Sequence, residues 1–313
     1  KPADDLHHAN RQRRRPKHQS QQRKNPLPPN TPRHAFPPPG HTPEGRNYAI
    51  LRYPPARAQG KKPGFGLYYH AAMPAPAIRK LTVVIPAYNE EATIADTIDR
   101  VKTAEIGPLE LEIIVVDDGS RDRTREILGA ISGIRTVFHE RNRGKGGAVK
   151  TGFRAATGDV LLIQDADLEY DPSDYKTVLQ PILEGRVEAV MGSRFVFERP
   201  RFFFGEAKSP FFTHYVGNRI IIALTNVLYG NSATDYEGGY KAFTKRLVDS
   251  IPIEADGFEY DNELICKLLR RGHRIEEVPI SYRPRTYAHG KKIKWTDGLR
   301  MVWTIVKWRF RRF

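Results

Sequence analysis

The sequence predicts an α/β protein built on a mostly parallel sheet with helices on both faces, and three observations lead there. Short runs such as "LTVVIPA" (81–87) and "IIVVDD" (113–118) are apolar at successive positions, the pattern of a strand buried on both faces. Between such runs lie segments whose apolar residues recur at helical spacing. The two kinds of segment alternate along the chain, the order that builds parallel strands joined by crossover helices.

From Leu81 the elements follow in sequence. "LTVVIPA" is the first strand, and Ile94, Ile98 and Val101 mark the first helix. "LEIIVVDD" (111–118) is the second strand and "RDRTREILGAI" (121–131) the second helix. "IRTVFHE" (134–140) reads as a third strand, followed by the helical "GGAVKTGFRAA" (146–156). "DVLLIQDAD" (159–167) is a fourth strand and, after another helix, "VEAVMGS" (187–193) a fifth. Ligands of such sheets bind beyond the carboxyl ends of the strands. Those ends carry "PAYNEE", "DDGS" and "DADLE", so three polar clusters converge on one edge.

Composition bounds the rest. With 313 residues and 39% hydrophobic content the chain can bury a real core, and its one cysteine, Cys266, excludes an internal disulfide. The formal charge of +15 suggests nucleic acid until its distribution is considered. Residues 1–77 carry 14 Lys and Arg against 3 Asp and Glu, and so hold +11 of it. That segment also holds most of the 24 prolines and has no sustained apolar period, which predicts a disordered tail. Met73 is the first methionine and stands just before the first patterned element, so the tail is either native or an extension. The body is only mildly basic and carries no RNA-binding signature, so no nucleic-acid partner is expected; binding through the tail is the remote alternative. No run reaches the roughly 20 apolar residues of a spanning helix.

Asp165 and Asp167 lie two apart, so an extended segment would point both to one side. Carboxylates crowded at a strand end repel unless a cation offsets them, and a hard divalent ion with oxygen ligands does so while leaving positions for phosphate oxygens. Asp171, in "YDP", reads instead as a cap of the next helix.

In order along the chain, "VVIPAYNEEATI", "IIVVDDGSRDRT", "NRGKGGAVKTGF", "GDVLLIQDADLEYDP" and "MGSRF" resemble family 2 glycosyltransferases with the A-type, Rossmann-like nucleotide-sugar fold. "TDYEGGYKAF", "GFEYDNEL" and "GHRIEEVPISYRPRTYAHGKKIKW" are similar to the branch of dolichyl-phosphate mannosyltransferases and polyprenyl-phosphate hexosyltransferases. The likeness covers roughly residues 80–300 and leaves the tail out. It implies a catalytic domain over 78–295 that takes a nucleotide sugar, GDP-mannose or UDP-glucose. Pro86, Tyr88, Glu90 and Asp118 are then the nucleoside contacts. Asp165 and Asp167 match the motif for metal and diphosphate, with Mg2+ or Mn2+ as the ion, and Glu169 joins them where many mannosyltransferase relatives carry Gln. The resemblance places Arg285, Lys291 and Lys292 in a loop that closes over the donor phosphates, and Arg194 at the acceptor phosphate with His214 and Asn218. Asp235 matches an acidic position near the reacting sugar, and Glu263 a structural one. "EGGYK" departs from relatives that carry Thr-Cys or Ser-Gly, which leaves the sugar open.

A polyprenyl phosphate is already anionic near pH 7, so it needs positioning and screening more than a base. The expected reaction is metal-dependent hexose transfer with inversion to that lipid. The alternative is a soluble saccharide or protein hydroxyl acceptor, with Asp235 as the candidate base. A lipid acceptor requires a membrane surface. The closing segment 296–313 carries Leu299, Val302, Trp303, Val306 and Phe310 at helical spacing among arginines and Lys307. It reads equally as a basic amphipathic helix lying in a bilayer interface or as one packed on the body. The expected location is cytoplasmic, peripheral to the membrane face.

Overall fold

The structure, a computed structural model, describes residues 77–195, 211–283 and 295–313, with side chains from 216 and 296 onward in the last two stretches. The predicted tail lies outside them. The elements are β1 (Lys80–Ala87), α1 (Ile94–Lys102), β2 (Glu110–Asp117), α2 (Thr124–Ala130), β3 (Arg135–Phe138), α3 (Lys145–Ala155), β4 (Val160–Ile163), α4 (Tyr175–Leu183), β5 (Ala189–Ser193), α5 (Phe211–Tyr229), β6 (Lys241–Thr244), α6 (Lys245–Asp249), α7 (Tyr260–Arg270), β7 (Ile275–Pro279) and α8 (Trp295–Phe310). The strands form one sheet in the order β3-β2-β1-β4-β6-β5-β7. All neighbours are parallel except β6, which runs antiparallel to both β4 and β5.

The doubly apolar strands are covered on both sides, as their composition predicts. Val83, Ile85, Ile113, Val115 and Leu162 face one way, against Ile94, Ile98 and Val101 of α1 and Val178 and Leu179 of α4. Val84, Ile114, Val116, Leu161 and Ile163 face the other, against Val149 and Phe153 of α3 and Leu264 and Leu268 of α7. Each such side chain, fully buried, contributes about 1.5–3 kcal/mol. The register sets Val84 opposite Ile114 on one side and Ile163 on the other; β1 and β2 finish level at Ala87 and Asp117, β4 stops three residues earlier, and the three parallel strands send their following loops to the same edge of the sheet.

Three features differ from the sequence reading. Two strands, β6 and β7, extend the sheet beyond the five expected. β3 is a partly exposed edge strand, with Phe138 48% exposed. The third difference is β4, which stops at Ile163, so Asp165 and Asp167 lie in a turn rather than on an extended strand. Leu168 adopts a left-handed φ of 60°, and the Glu169 amide donates to Asp167 Oδ1 at 3.2 Å.

The last helix packs on the body along one face and leaves apolar side chains exposed on another. Met301, Ile305 and Trp308 are buried with Ile221 of α5 and Cys266 of α7. Leu299, Trp303 and Phe310 remain 61%, 67% and 73% exposed. Among the described residues, no helix is long and apolar enough to cross a membrane.

Candidate active site

At the rim, the loops after β1 and β2 are laced together. The Asn89 amide donates to Ser120 Oγ at 2.9 Å, and Asn89 Oδ1 accepts from the Arg121 amide at 2.8 Å. The Glu90 amide donates to Thr124 Oγ1 at 2.8 Å, and the Glu90 carbonyl accepts from the first amides of α1. Pro86 is the penultimate residue of β1, with Tyr88 partly buried and Glu90 buried just beyond it. Asp118 is also buried. Its Oδ1 lies 2.7 Å from His139 Nδ1 and accepts from the Arg143 amide at 2.9 Å, while Oδ2 accepts from the Gly144 amide at 2.8 Å. It therefore ties the loop after β3 to the end of β2, and any ligand base meeting it finds a carboxylate already held in place.

Beyond β4, the buried Gln164 fixes the acidic turn from behind. Its amide nitrogen donates to the Asp165 carbonyl at 2.9 Å, and its oxygen accepts from the hydroxyls of Tyr175 and Tyr240, each at 2.8 Å. In front, Lys145 Nζ lies 2.6 Å from Asp165 Oδ1. Burial disfavours charge on Lys145, but the carboxylates of Asp165, Asp261 and Glu237 outweigh it and hold the ammonium above the ordinary lysine range. Asp171 caps the following turn by accepting from the Ser173 amide at 3.0 Å, the role its neighbours in sequence predict.

Across the rim, Arg194 at the end of β5 grips Asp235. Nε meets Oδ2 at 2.7 Å, Nη2 meets Oδ1 at 2.9 Å, and the Arg194 amide adds a third contact at 3.2 Å. Asp235 is in turn held by its own amide, which donates to Glu277 Oε1 at 2.7 Å. The Arg194 guanidinium lies over the Tyr282 ring at 5.2 Å. Asn218 is on α5, with its Oδ1 buried and, among the described residues, without a donor. His214 falls on the same helix, but its side chain is outside the described residues, as are Arg285, Lys291 and Lys292. Glu263 is structural: buried, 2.5 Å from Lys267 Nζ, and accepting from the amides of Glu254 and Ala255.

The sequence model described as "Glycosyl transferase family 2" matches residues 82–251, more than half of the chain, from the first strand through Asp165, Arg194 and Asp235. The chain belongs to glycosyl transferase family 2. It is 30% identical over 240 residues to a UDP-N-acetylglucosamine–dolichyl-phosphate N-acetylglucosaminyltransferase of Methanococcus voltae, covering 69% of this chain and 92% of that protein. It is 29% identical over 239 residues to a dolichol-phosphate mannosyltransferase of Pyrococcus furiosus, covering 73% of this chain and 64% of that one. Two other archaeal glycosyltransferases are matched over only 33% and 48% of their lengths. Among solved structures, glucosyl-3-phosphoglycerate synthase from Mycobacterium tuberculosis, in complex with Mn2+, UDP-glucose and phosphoglyceric acid, superposes with a TM-score of 0.57 at 25% identity, covering 75% of this chain and 81% of that one.

For this family 2 member the donor set at the end of β4 is all oxygen, from Asp165, Asp167 and Glu169, which suits a hard divalent ion. Among the described residues, no three His, Cys, Asp or Glu already stand as a metal cage. An ion held by Asp165 would compete there with the Lys145 ammonium.

Sequence reasoning named the carboxylates and missed their partners. "NRGKGG" carries no acidic or aromatic marker of a site, yet it supplies Lys145. The glycines beside that lysine are steric necessities: a Cβ on Gly146 would stand 2.7 Å from Tyr260 Cβ, where the start of α3 crosses the loop 255–257. A lysine flanked by glycines at a helix start was the available clue. His139 and Gln164 gave none, since each looks like an ordinary residue at the end of a strand.

Proposed function

We propose that this chain transfers a hexose, mannose or glucose, from GDP-mannose or UDP-glucose to a polyprenyl or dolichyl phosphate, with inversion at the anomeric carbon. The observation that carries the lipid acceptor is an apolar surface on two helices that pack on each other. Val216, Ile220 and Val227 of α5 are 39%, 54% and 81% exposed, and Leu299, Trp303 and Phe310 of α8, which packs on α5, are exposed too. Arg219 on α5 and Arg300, Lys307, Arg309, Arg311 and Arg312 in and after α8 accompany them. A face of this composition suits a bilayer interface rich in anionic headgroups. The same α5 carries Asn218 and His214, the candidates for the acceptor phosphate. Two of the relatives are named for dolichyl- or dolichol-phosphate, which supports the same acceptor. Nucleotide sugars and the exposed face together favour a protein working peripherally at the cytoplasmic side of a membrane.

Asp165 and Asp167 would hold Mg2+ or Mn2+, with Glu169 beside them, and the ion when bound supplies charge stabilisation for the departing diphosphate. Lys145, once free of Asp165, brings its ammonium to the same phosphates. Arg194 commits Nε and one Nη2 hydrogen to Asp235 and also meets Tyr282, and the Nη hydrogens beyond these would serve the acceptor phosphate. Asp235 thus fixes the guanidinium in the plane from which it meets that phosphate. An acceptor oxygen attacks the anomeric carbon, the new carbon–oxygen bond forms as the bond to diphosphate breaks, and the electron pair leaves with GDP or UDP. No proton has to be removed from an acceptor that is already anionic.

The test is direct. Purified full-length protein is given GDP-mannose or UDP-glucose, polyprenyl phosphate and Mg2+ or Mn2+, and the lipid product is identified by mass spectrometry and its anomeric configuration by NMR. A glycosylated lipid of inverted configuration is expected. Transfer only to water-soluble alcohols, or retained configuration, contradicts the reading.

A further inference from the structure

The segment "EGGYK" (237–241) joins Asp235 to β6 and takes no part in the chemistry described so far. Its placement is informative. A Cβ on Gly239 would stand 2.8 Å from Asp165 Oδ2, and one on Gly238 would stand 3.4 Å from Asp235 Oδ2. The Glu237 amide donates to Asp235 Oδ1 at 3.0 Å. This backbone therefore spans the gap between the carboxylate assigned to the diphosphate and the one that orients Arg194. A sugar suspended between a diphosphate on the first and an acceptor phosphate on the second has to lie against it.

A second observation concerns hydrogen-bond supply. Glu237 Oε1 accepts from Asn262 Nδ2 at 2.9 Å. The other end of that planar amide, Asn262 Oδ1, is buried and has no donor among the described residues, and Asn262 as a whole is only 2% exposed. Asp261 Oδ1, on a residue 9% exposed, is likewise buried without a donor. Both atoms are obligate acceptors here, and an unmet buried acceptor costs about 1–3 kcal/mol. Cations already stand close by. Lys241 Nζ is 3.3 Å from Asp261 Oδ2, and Lys145 is drawn by both Asp261 and Glu237. These ammonium donors are directed elsewhere, to Asp261 Oδ2, the Gly238 carbonyl and Asp165, and leave Asn262 Oδ1 and Asp261 Oδ1 unmet among the described residues. A phosphate brings only acceptors, whereas a hexose brings several hydroxyl donors in a compact ring.

We propose that Glu237, braced by Asn262 and flanked by Asp261, is the specificity-determining residue that reads hydroxyl groups of the donor's sugar. The inference rests on the nucleotide-sugar reading above and adds its selectivity. A carboxylate with one oxygen held by Asn262 keeps its second oxygen as an acceptor for a sugar hydroxyl. It favours a neutral hexose with that hydroxyl unsubstituted and repels a sugar that carries a carboxylate. Sites built to bond a hydroxyl discriminate strongly against analogues that lack it, because the buried acceptors are then left unmet.

The experiment separates the sugar from its nucleotide. Isothermal titration of the full-length protein with Mn2+ compares UDP with UDP-glucose and GDP with GDP-mannose, in wild type, Glu237→Ala and Glu237→Gln. Melting curves confirm folding, and Glu237→Gln, which keeps the shape and a partner for Asn262, serves if Glu237→Ala does not fold. Nucleoside diphosphate affinity is expected to stay within about twofold of wild type, while the nucleotide sugar weakens at least tenfold. The KM for the donor should rise more than kcat falls. Donors deoxygenated at single ring positions should identify the hydroxyl concerned, since at that position wild type and Glu237→Gln should bind alike. Equal weakening of diphosphate and nucleotide sugar, or no change in either, overturns the role of Glu237 while leaving the transferase reading intact. Failure of the wild type to bind any nucleotide sugar overturns both.

Discussion

Arg194 and Asp235 lock together through two nearly parallel contacts of 2.7 and 2.9 Å, with the aspartate side chain wholly removed from solvent. Burial alone would push the carboxyl up, but Arg194 overrides it and holds Asp235 below the ordinary carboxylate range. A carboxylate neutralised in this way is a poor proton acceptor. That weakens Asp235 as the base for a hydroxyl acceptor and suits it as the group that aims Arg194.

Asp235→Ala should therefore act on stability as well as on rate. Removing one partner of a buried ion pair strands the other, which costs about 3–5 kcal/mol. Urea denaturation should show a loss of this size. The pH dependence has a definite sign. Because the folded value lies below the unfolded one, this stability is fully present above the unfolded value and is lost as pH falls through the folded one. Melts between pH 6 and pH 2 should show an acid decline beginning near 4 in wild type that is diminished in Asp235→Asn. Identical acid limbs in the two proteins would refute the pairing.

What could be read from the chain follows the range of its interactions. β1, β2 and β4 were legible because each is apolar on both faces, a local property. β6 was hidden by Lys241, whose side chain is buried and whose ammonium donates to the Gly238 carbonyl at 2.7 Å; from sequence alone it breaks the apolar run. β7 was hidden by Glu276 and Glu277, the second of which is drawn inward by Thr234 and Asp235. The acidic clusters were legible as clusters, since a strand end crowded with carboxylates needs a reason. Their partners were not: Lys145 reaches Asp165, and Arg194 reaches Asp235, only after the sheet has formed. The expected common orientation of Asp165 and Asp167 assumed an extended backbone, and the left-handed Leu168 removed that basis.

Lys145 guards Asp165, and that has a measurable consequence. With its ammonium 2.6 Å from Oδ1, a divalent ion arriving without nucleotide must displace it. Lys145→Met should raise the affinity of the nucleotide-free protein for Mn2+ on the order of tenfold, equivalent to about 1.4 kcal/mol, by electron paramagnetic resonance titration. The same variant should transfer sugar about 10²-fold more slowly, because the diphosphate loses a fixed cation. An unchanged Mn2+ affinity would show that the lysine does not compete for the site.

Gly239 tests the packing of the acidic turn. A methyl there would press on Asp165 Oδ2 and on the Tyr170 ring, each within 2.8 Å, and Tyr170 is itself wedged between Tyr240 and Tyr282. Gly239→Ala should cost about 1–3 kcal/mol, typical of overpacking, and should reduce transfer by displacing Asp165. A variant as stable and as active as wild type would mean that the turn relaxes freely.

The exposed apolar face requires a surface variant rather than a deletion. Truncation after Asp297 would remove Ile305 and Trp308, both fully buried, and would damage the core together with any membrane contact. Leu299→Glu with Trp303→Glu changes only side chains that are more than half exposed, so stability should move by less than about 0.5 kcal/mol per site. Binding to vesicles of anionic phospholipid, followed by co-sedimentation, should fall at least tenfold. Wild-type binding should weaken as salt rises, because the basic end of α8 attracts anionic headgroups through a screened interaction of about 1 kcal/mol for each net charge near the surface, with Lys307 and Arg311 partly neutralised by Glu254 and Arg300 by Asp297. Undiminished vesicle binding by the double variant would remove this face from the membrane, and with it the strongest support for a lipid acceptor.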